Sequence, residues 1–164
     1  KRGKRIDEQI GLLRRLWTER SVTFEGEYDR IIGAGIAPLP IQRPIPIWIG
    51  GYSPPAFRRM GRLADGWFPS TLQPGEELDA ARATIARAAE EAGRDPAEID
   101  MEGRLNWRPD ITRDEIQHIA GAWRETGASH VAVDTMGQDL PSLDAHLEAL
   151  AQVADALALG KASQ

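Results

Sequence analysis

A parallel α/β sheet with helices on its outside is the fold class this sequence predicts, and three features predict it. Four short apolar runs with strand character, at 45–49, 67–69, 99–105 and 131–133, alternate with helical stretches of period 3.6. Glycine and proline stand at the changeovers. Strand plus helix recurs every 20 to 35 residues or so, a period that suits a doubly wound sheet and half of a (β/α)8 barrel equally well.

The first segment is helical. Ile6, Ile10, Leu13 and Trp17 form one apolar stripe, with Arg14, Arg15 and Glu19 off it. From Ser21 to Pro46 that period disappears. Val22, Phe24 and Tyr28 predict a short extended excursion around Gly26, and the four prolines of "GAGIAPLPIQRPIP" forbid a regular helix. Ile45, Ile47 and Ile49 then alternate with Pro46 and Trp48, which predicts a strand ended by Gly50-Gly51. Ser53 is placed to cap the next helix, Pro54 suits its first turn, and Phe57, Met60, Leu63 and Ala64 form its buried face. Asp65-Gly66 turns the chain into a second strand at Trp67-Phe68-Pro69. This is a compact βαβ unit.

The unit recurs in type. Leu78, Ile85, Ala88, Ala89 and Ala92 line a helix stopped by Gly93 and Pro96. Ile99, Met101, Gly103 and Leu105 alternate as a third strand. Thr112 and Glu115 form a capping box before Ile116, Ile119, Ala120 and Trp123, with Gly127 as the stop. Val131-Ala132-Val133 is a fourth strand. Ser142 opens a last helix through Leu143, Leu147, Leu150, Val153 and Leu157. The 164 residues therefore read as one domain, with a leading helix and excursion over 1–44 and four βα units over 45–164.

Composition narrows the function. A net charge of −5 gives no electrostatic reason to expect nucleic acid, and no run approaches a membrane span. The absence of cysteine excludes disulfides, thiolate metal sites and cysteine nucleophiles, and it fits a cytoplasmic location. The N-terminus, "KRGKRIDEQ", has no apolar region of a signal peptide. It has no initiator Met and enters an amphipathic pattern at once, which reads as a fragment cut from a longer chain just before a helix.

Four stretches, in order, carry a resemblance: "RGKRIDEQIGLLRRLWTE", "VTFEGEYDRI", "PIPIWIGGYSPPAFRRMGRLADGWFP" and "EEAGRDPAEID". Together they resemble the C-terminal half of a luciferase-like monooxygenase. The similarity is greatest to the branch of that superfamily using the deazaflavin coenzyme F420, and it covers roughly residues 2 to 135. The resemblance implies a (β/α)8 TIM-type barrel whose fifth to eighth strands are those found here. It implies F420 or FMN as cofactor, with hydride transfer or oxygen activation on it and an unknown small organic substrate. The absent first four strands would carry much of the ring pocket and the usual catalytic residues. The catalytic groups are therefore unknown, and the chain alone is expected to be inactive.

Barrel sites lie at the C-terminal ends of strands, where Gly50-Gly51 falls. The backbone amides of Gly50, Gly51 and Tyr52 and the hydroxyl of Ser53 are the candidates to hold a cofactor phosphate at the start of the following helix. The plainer alternative is a tight βα turn with Ser53 capping its own helix. Ser70 and Thr71 follow the second strand at the same rim, Ser70 as a pocket candidate and Thr71 as a substrate candidate. Arg104 and Asn106, near the end of the third strand, and Asp134, at the end of the fourth, are further substrate candidates. Arg58, Arg59 and Arg62 read as a solvated face.

His118 reads as solvated, His146 as a packing residue, and His130 as merely preceding the last strand. No metal-ligand spacing appears. Gly33-Ala34-Gly35 lacks the third glycine and the helix of a dinucleotide fingerprint. A four-stranded open sheet leaves two bare edges, and Ile47, Ile49, Trp67, Met101, Val131 and Val133 are expected on the face that an opposing half would cover. Self-association into a homo-oligomer, or a missing N-terminal half, would supply that cover. Two other readings stay open: a non-catalytic half-barrel serving as an assembly or interaction unit, and half of a phosphosugar-binding barrel.

Overall fold

The computed structural model describes residues 1–160. Their elements run α1 (Arg2–Thr18), β1 (Val22–Glu25), β2 (Arg30–Ala34), β3 (Trp48–Gly50), α2 (Pro54–Leu63), β4 (Gly66–Phe68), α3 (Glu76–Glu91), β5 (Asp100–Asn106), α4 (Arg113–Glu125), β6 (His130–Asp134) and α5 (Leu143–Ala156). A 3-10 turn, Pro96–Glu98, precedes β5. Strands β1 and β2 form an antiparallel hairpin, the excursion read from Val22 to Tyr28. The other four make one sheet in the order β3-β4-β5-β6, parallel throughout.

Local chemistry sets the boundaries. Thr112 and Glu115 complete the capping box in both directions at α4, and the Ser142 hydroxyl accepts from the Ala145 N–H at the start of α5. Hydrogen bonds from the Thr112 N–H and hydroxyl, then from Arg108, hold the Glu115 carboxyl below its usual range. Three acids, Glu76, Glu77 and Asp79, sit in the first turn of α3, where the helix dipole favours them. Strand β3 is shorter than the run at 45–49 predicts, because Pro44 and Pro46 have no N–H to give the ladder and the Ile47 N–H is taken by the Asp65 carboxylate. Gly66 lies inside β4 instead of in the turn before it.

Helices α2 to α5 cover one face of the sheet. Met60, Ala64, Leu78, Ala81, Ile85 and Trp123 pack from α2, α3 and α4 onto Trp67 and Met101, with Ile49 and Val131 at the margin. A second cluster joins Leu105, Trp107 and Ile116 to Ala149, Val153 and Ala156 of α5. The expectation for the strands is therefore overturned: Ile49, Trp67, Met101, Val131 and Val133 face the chain's own helices. The face left open carries the residues between them. Alternation reveals that a strand has two faces, but not which of them the helices take.

Four other expectations change. In α1, Ile10 and Leu12 are buried while Ile6 and Leu13 are exposed. In α5 the buried residues are Ala149, Val153 and Ala156, and Leu143, Leu147 and Leu150 are exposed. Ala92 is exposed, just past the end of α3. Arg59 and Arg62 are not simply solvated: both pair with Asp7 of α1. Arg14 adds a second tie, donating to the Leu63 carbonyl at 2.8 Å and to the Asp65 carboxylate at 2.8 and 3.0 Å. Helix α1 is thereby fixed beside α2, while α5 lies beside α4. Among the described residues α1 and α5 are the outermost helices, each held against a neighbouring helix.

Candidate functional site

Register places Trp48, Gly50, Gly66, Phe68, Glu102, Arg104, Asn106, His130, Ala132 and Asp134 on the open face. The floor is aromatic. The Trp48 ring lies 5.4 Å from that of Phe68 and meets His130 edge-on at 5.3 Å. Trp48 and His130 stand on the two outermost strands, which three strand spacings would put about 14 Å apart on a flat sheet. Their contact shows that the sheet curls into a trough. His130 is itself the first residue of β6, with its Nδ1 2.9 Å from the Ser129 hydroxyl.

The C-terminal ends of the strands form the rim. Gly50 ends β3 and is exposed; a Cβ built there would stand 3.7 Å from the Ser70 hydroxyl, so the structure brings these two candidates together. Gly51 has φ +149°, and a Cβ on it would stand 3.0 Å from that of Ala56. Both conformation and space there call for glycine. Ser70 itself adopts a positive φ of 60°, uncommon for a residue with a side chain. Its hydroxyl reaches only the Phe68 carbonyl, at 3.4 Å.

Ser53 occupies the N-cap position of α2, but its hydroxyl makes no capping bond. Pro54 and Pro55 begin the helix and supply no N–H, which leaves only that of Ala56 in this turn, and the Ser53 hydroxyl does not accept it. Its hydroxyl and the exposed Tyr52 lie open to solvent beside the glycines. Thr71 is exposed in the turn beyond Ser70, where the Leu72 N–H donates to the Pro69 carbonyl. Arg58 is exposed on α2.

A second group forms on β5 and β6. Arg104 Nη1 lies 3.5 Å from Asp134 Oδ2, and Asn106 is in register with Asp134. Asp134 also accepts the Met136 N–H at 2.9 Å, so it serves both as rim carboxylate and as turn cap. Arg108, just past β5, is tied to Asp110 and Glu115. Sequence reasoning missed Trp48, Phe68, Glu102 and His130 as residues of the open face. The signal that could have found them is their parity against Ile49, Trp67, Met101 and Val131. His146 meets the Thr135 hydroxyl at 2.7 Å, and His118 is exposed on α4. Among the described residues no three side chains converge as a metal site, and no helix is long and apolar enough to cross a membrane.

A family model described as luciferase-like monooxygenase matches residues 1–162. An uncharacterized protein of Mycobacterium tuberculosis is 45% identical over 102 residues, which cover 62% of this chain and 34% of that protein. An F420-dependent glucose-6-phosphate dehydrogenase of Nakamurella multipartita is 38% identical over 112 residues, 66% of this chain and 33% of the relative. The chain thus spans about a third of the length of these relatives. The fold is similar to part of the coenzyme F420 dependent tetrahydromethanopterin reductase from Methanopyrus kandleri, with a TM-score of 0.58 at 22% identity, over 94% of this chain and 44% of that one.

Proposed function

The chain belongs to the luciferase-like monooxygenase family, and from that premise we propose that it is the C-terminal half of a deazaflavin- or flavin-dependent oxidoreductase barrel, the half that holds the cofactor's phosphate. One observation carries this reading. Where β3 gives way to α2, two glycines without side chains lie beside two hydroxyls, of which Ser53 is uncommitted and Ser70 makes only one long bond. The residues fit the group: Gly50 leaves an exposed cradle that a side chain would begin to fill, and Gly51 shapes the turn. Gly50, Gly51 and Tyr52 would donate backbone N–H groups, and Ser53 and Ser70 hydroxyls. A bound deazaflavin or flavin supplies the hydride chemistry. The chain's own share is to anchor that group at the rim and present the trough of Trp48, Phe68, Arg104, Asn106 and Asp134 to the substrate.

Titrating the chain with F420 and with FMN, while following cofactor fluorescence, tests the reading. Saturable quenching by one of them is expected. Gly51→Val, which places a branched side chain at a glycine conformation against Ala56, should weaken it by roughly tenfold or more. No quenching by either cofactor at high micromolar concentration would sink the proposal.

The open edges need four further strands, and the flanking helices say of what kind. Two copies of this chain arranged about a barrel axis would bring α5 of one and α1 of the other to the same strand joint, since α1 precedes the first strand of the sheet and α5 follows the last. The complement that fits begins and ends with a strand, carrying three helices between its four strands; a second copy does not. Sedimentation at low micromolar concentration should show no ring-closed dimer, whereas a separately expressed N-terminal four-strand portion of the M. tuberculosis relative should form a 1:1 complex. A dimer with exchange-protected β3 and β6 amides would overturn this.

A further inference from the structure

We infer that the substrate reaching the open face is an uncharged hydroxyl or carbonyl compound and not a phosphorylated one, with Asp134 setting that choice through Arg104; this rests on the oxidoreductase reading above. The ionisable side chains that β5 and β6 turn toward this face, besides His130, are Asp100, Glu102, Arg104 and Asp134, one cation against three carboxylates. The cation is engaged: Arg104 Nη1 is 3.5 Å from Asp134 Oδ2. The carboxylate is fixed, because its other oxygen accepts the Met136 N–H. The strand beneath is fixed as well, because the Arg104 carbonyl accepts the Trp123 Nε1–H at 3.1 Å. Arg108, the next cation along the chain, is held by Asp110 and Glu115.

A phosphate monoester carries a charge of about −1.5 to −2 at neutral pH. Bound to Arg104, it would lie against Asp134 and face Glu102, and like charges at that range are strongly disfavoured. A neutral dipolar group meets no such conflict. The guanidinium keeps donors to spare for a carbonyl or hydroxyl oxygen, and Asp134 can accept from a hydroxyl. Trp48 and Phe68, 5.4 Å apart on the floor, suit an apolar carbon body. The inferred class differs from the substrate in the name of the Nakamurella multipartita relative.

Two indole N–H groups report on this face: Trp48, on the floor, and Trp123, bonded to the Arg104 carbonyl. Their resonances in the nitrogen-15-labelled chain would be followed while cyclohexanol or glucose 6-phosphate is added. In the native chain cyclohexanol should shift both signals at a concentration at least roughly tenfold below any effect of glucose 6-phosphate. Asp134→Asn is isosteric and still accepts from Met136, and it should bind glucose 6-phosphate about tenfold more tightly than the native chain. Adding Arg104→Gln should abolish that gain, and circular dichroism would confirm that each variant is folded. A native preference for glucose 6-phosphate, an unchanged affinity in Asp134→Asn, or silence toward both probes overturns the inference. No cofactor is in these samples, so a chain that quenches F420 but fails here loses only the substrate assignment.

Discussion

Gly61→Val should cost about 3 kcal/mol of unfolding free energy or abolish folding, the largest single effect expected in this chain. A Cβ at Gly61 would overlap the Ile85 carbonyl and stand 2.8 Å from both the Ala88 Cβ and the Ala89 nitrogen. Two of these obstacles are backbone, so no rotamer change relieves them. Helices α2 and α3 would have to separate, opening the cluster around Met60, Leu78 and Trp67. Urea denaturation measures the loss. Gly121, inside α4, is the control: nothing lies within 4 Å of a Cβ there, so Gly121→Ala should gain up to about 1 kcal/mol from helix propensity. Equal effects at the two positions would refute the packing argument.

Asp65→Ala should lower stability by about 2 kcal/mol, and it should also weaken cofactor binding. The Asp65 carboxylate accepts the Ile47 N–H at 2.8 Å as well as both bonds from Arg14, and Arg94 lies at 4.0 Å. Its side chain is 30% exposed, so solvent screening argues against the larger figure for a fully buried pair. Backbone bonds join the same places, the Asp65 N–H donating to the Ile47 carbonyl at 2.8 Å. Residue 65 therefore sets the entry of β3, three residues before Gly50. Asp65→Asn keeps an acceptor for Ile47 and should lose about half as much. If Asp65→Ala unfolds at the native urea midpoint, this clamp contributes nothing.

What the sequence made legible is what short-range chemistry decides. Thr112 and Glu115 stand three residues apart, so their capping box could be read from spacing, and the alternation of Met101, Gly103 and Leu105 follows from the pleat of one strand. The order of elements and the position of Gly50-Gly51 at a strand end came out for the same reason. Long-range choices did not. Asp7 captures Arg59 and Arg62 from more than fifty residues away, and nothing near those arginines announces it. The exposed faces of α1 and α5 were also unreadable, since an apolar stripe shows that a helix wants cover but not whether this chain provides it. Arg104 and Asp134 could each be nominated from its strand end, but their pairing required knowing that β5 and β6 are neighbours.

The division of β5 between its two sides has an evolutionary and practical consequence. Its odd-numbered positions, 101 to 105, answer to the helices, while 102, 104 and 106 face the open trough. If the trough is the substrate site proposed above, selection can retune specificity along this strand at every second codon with little effect on folding. A library confined to those even positions would explore new chemistry without drawing on the reserve that keeps the protein folded.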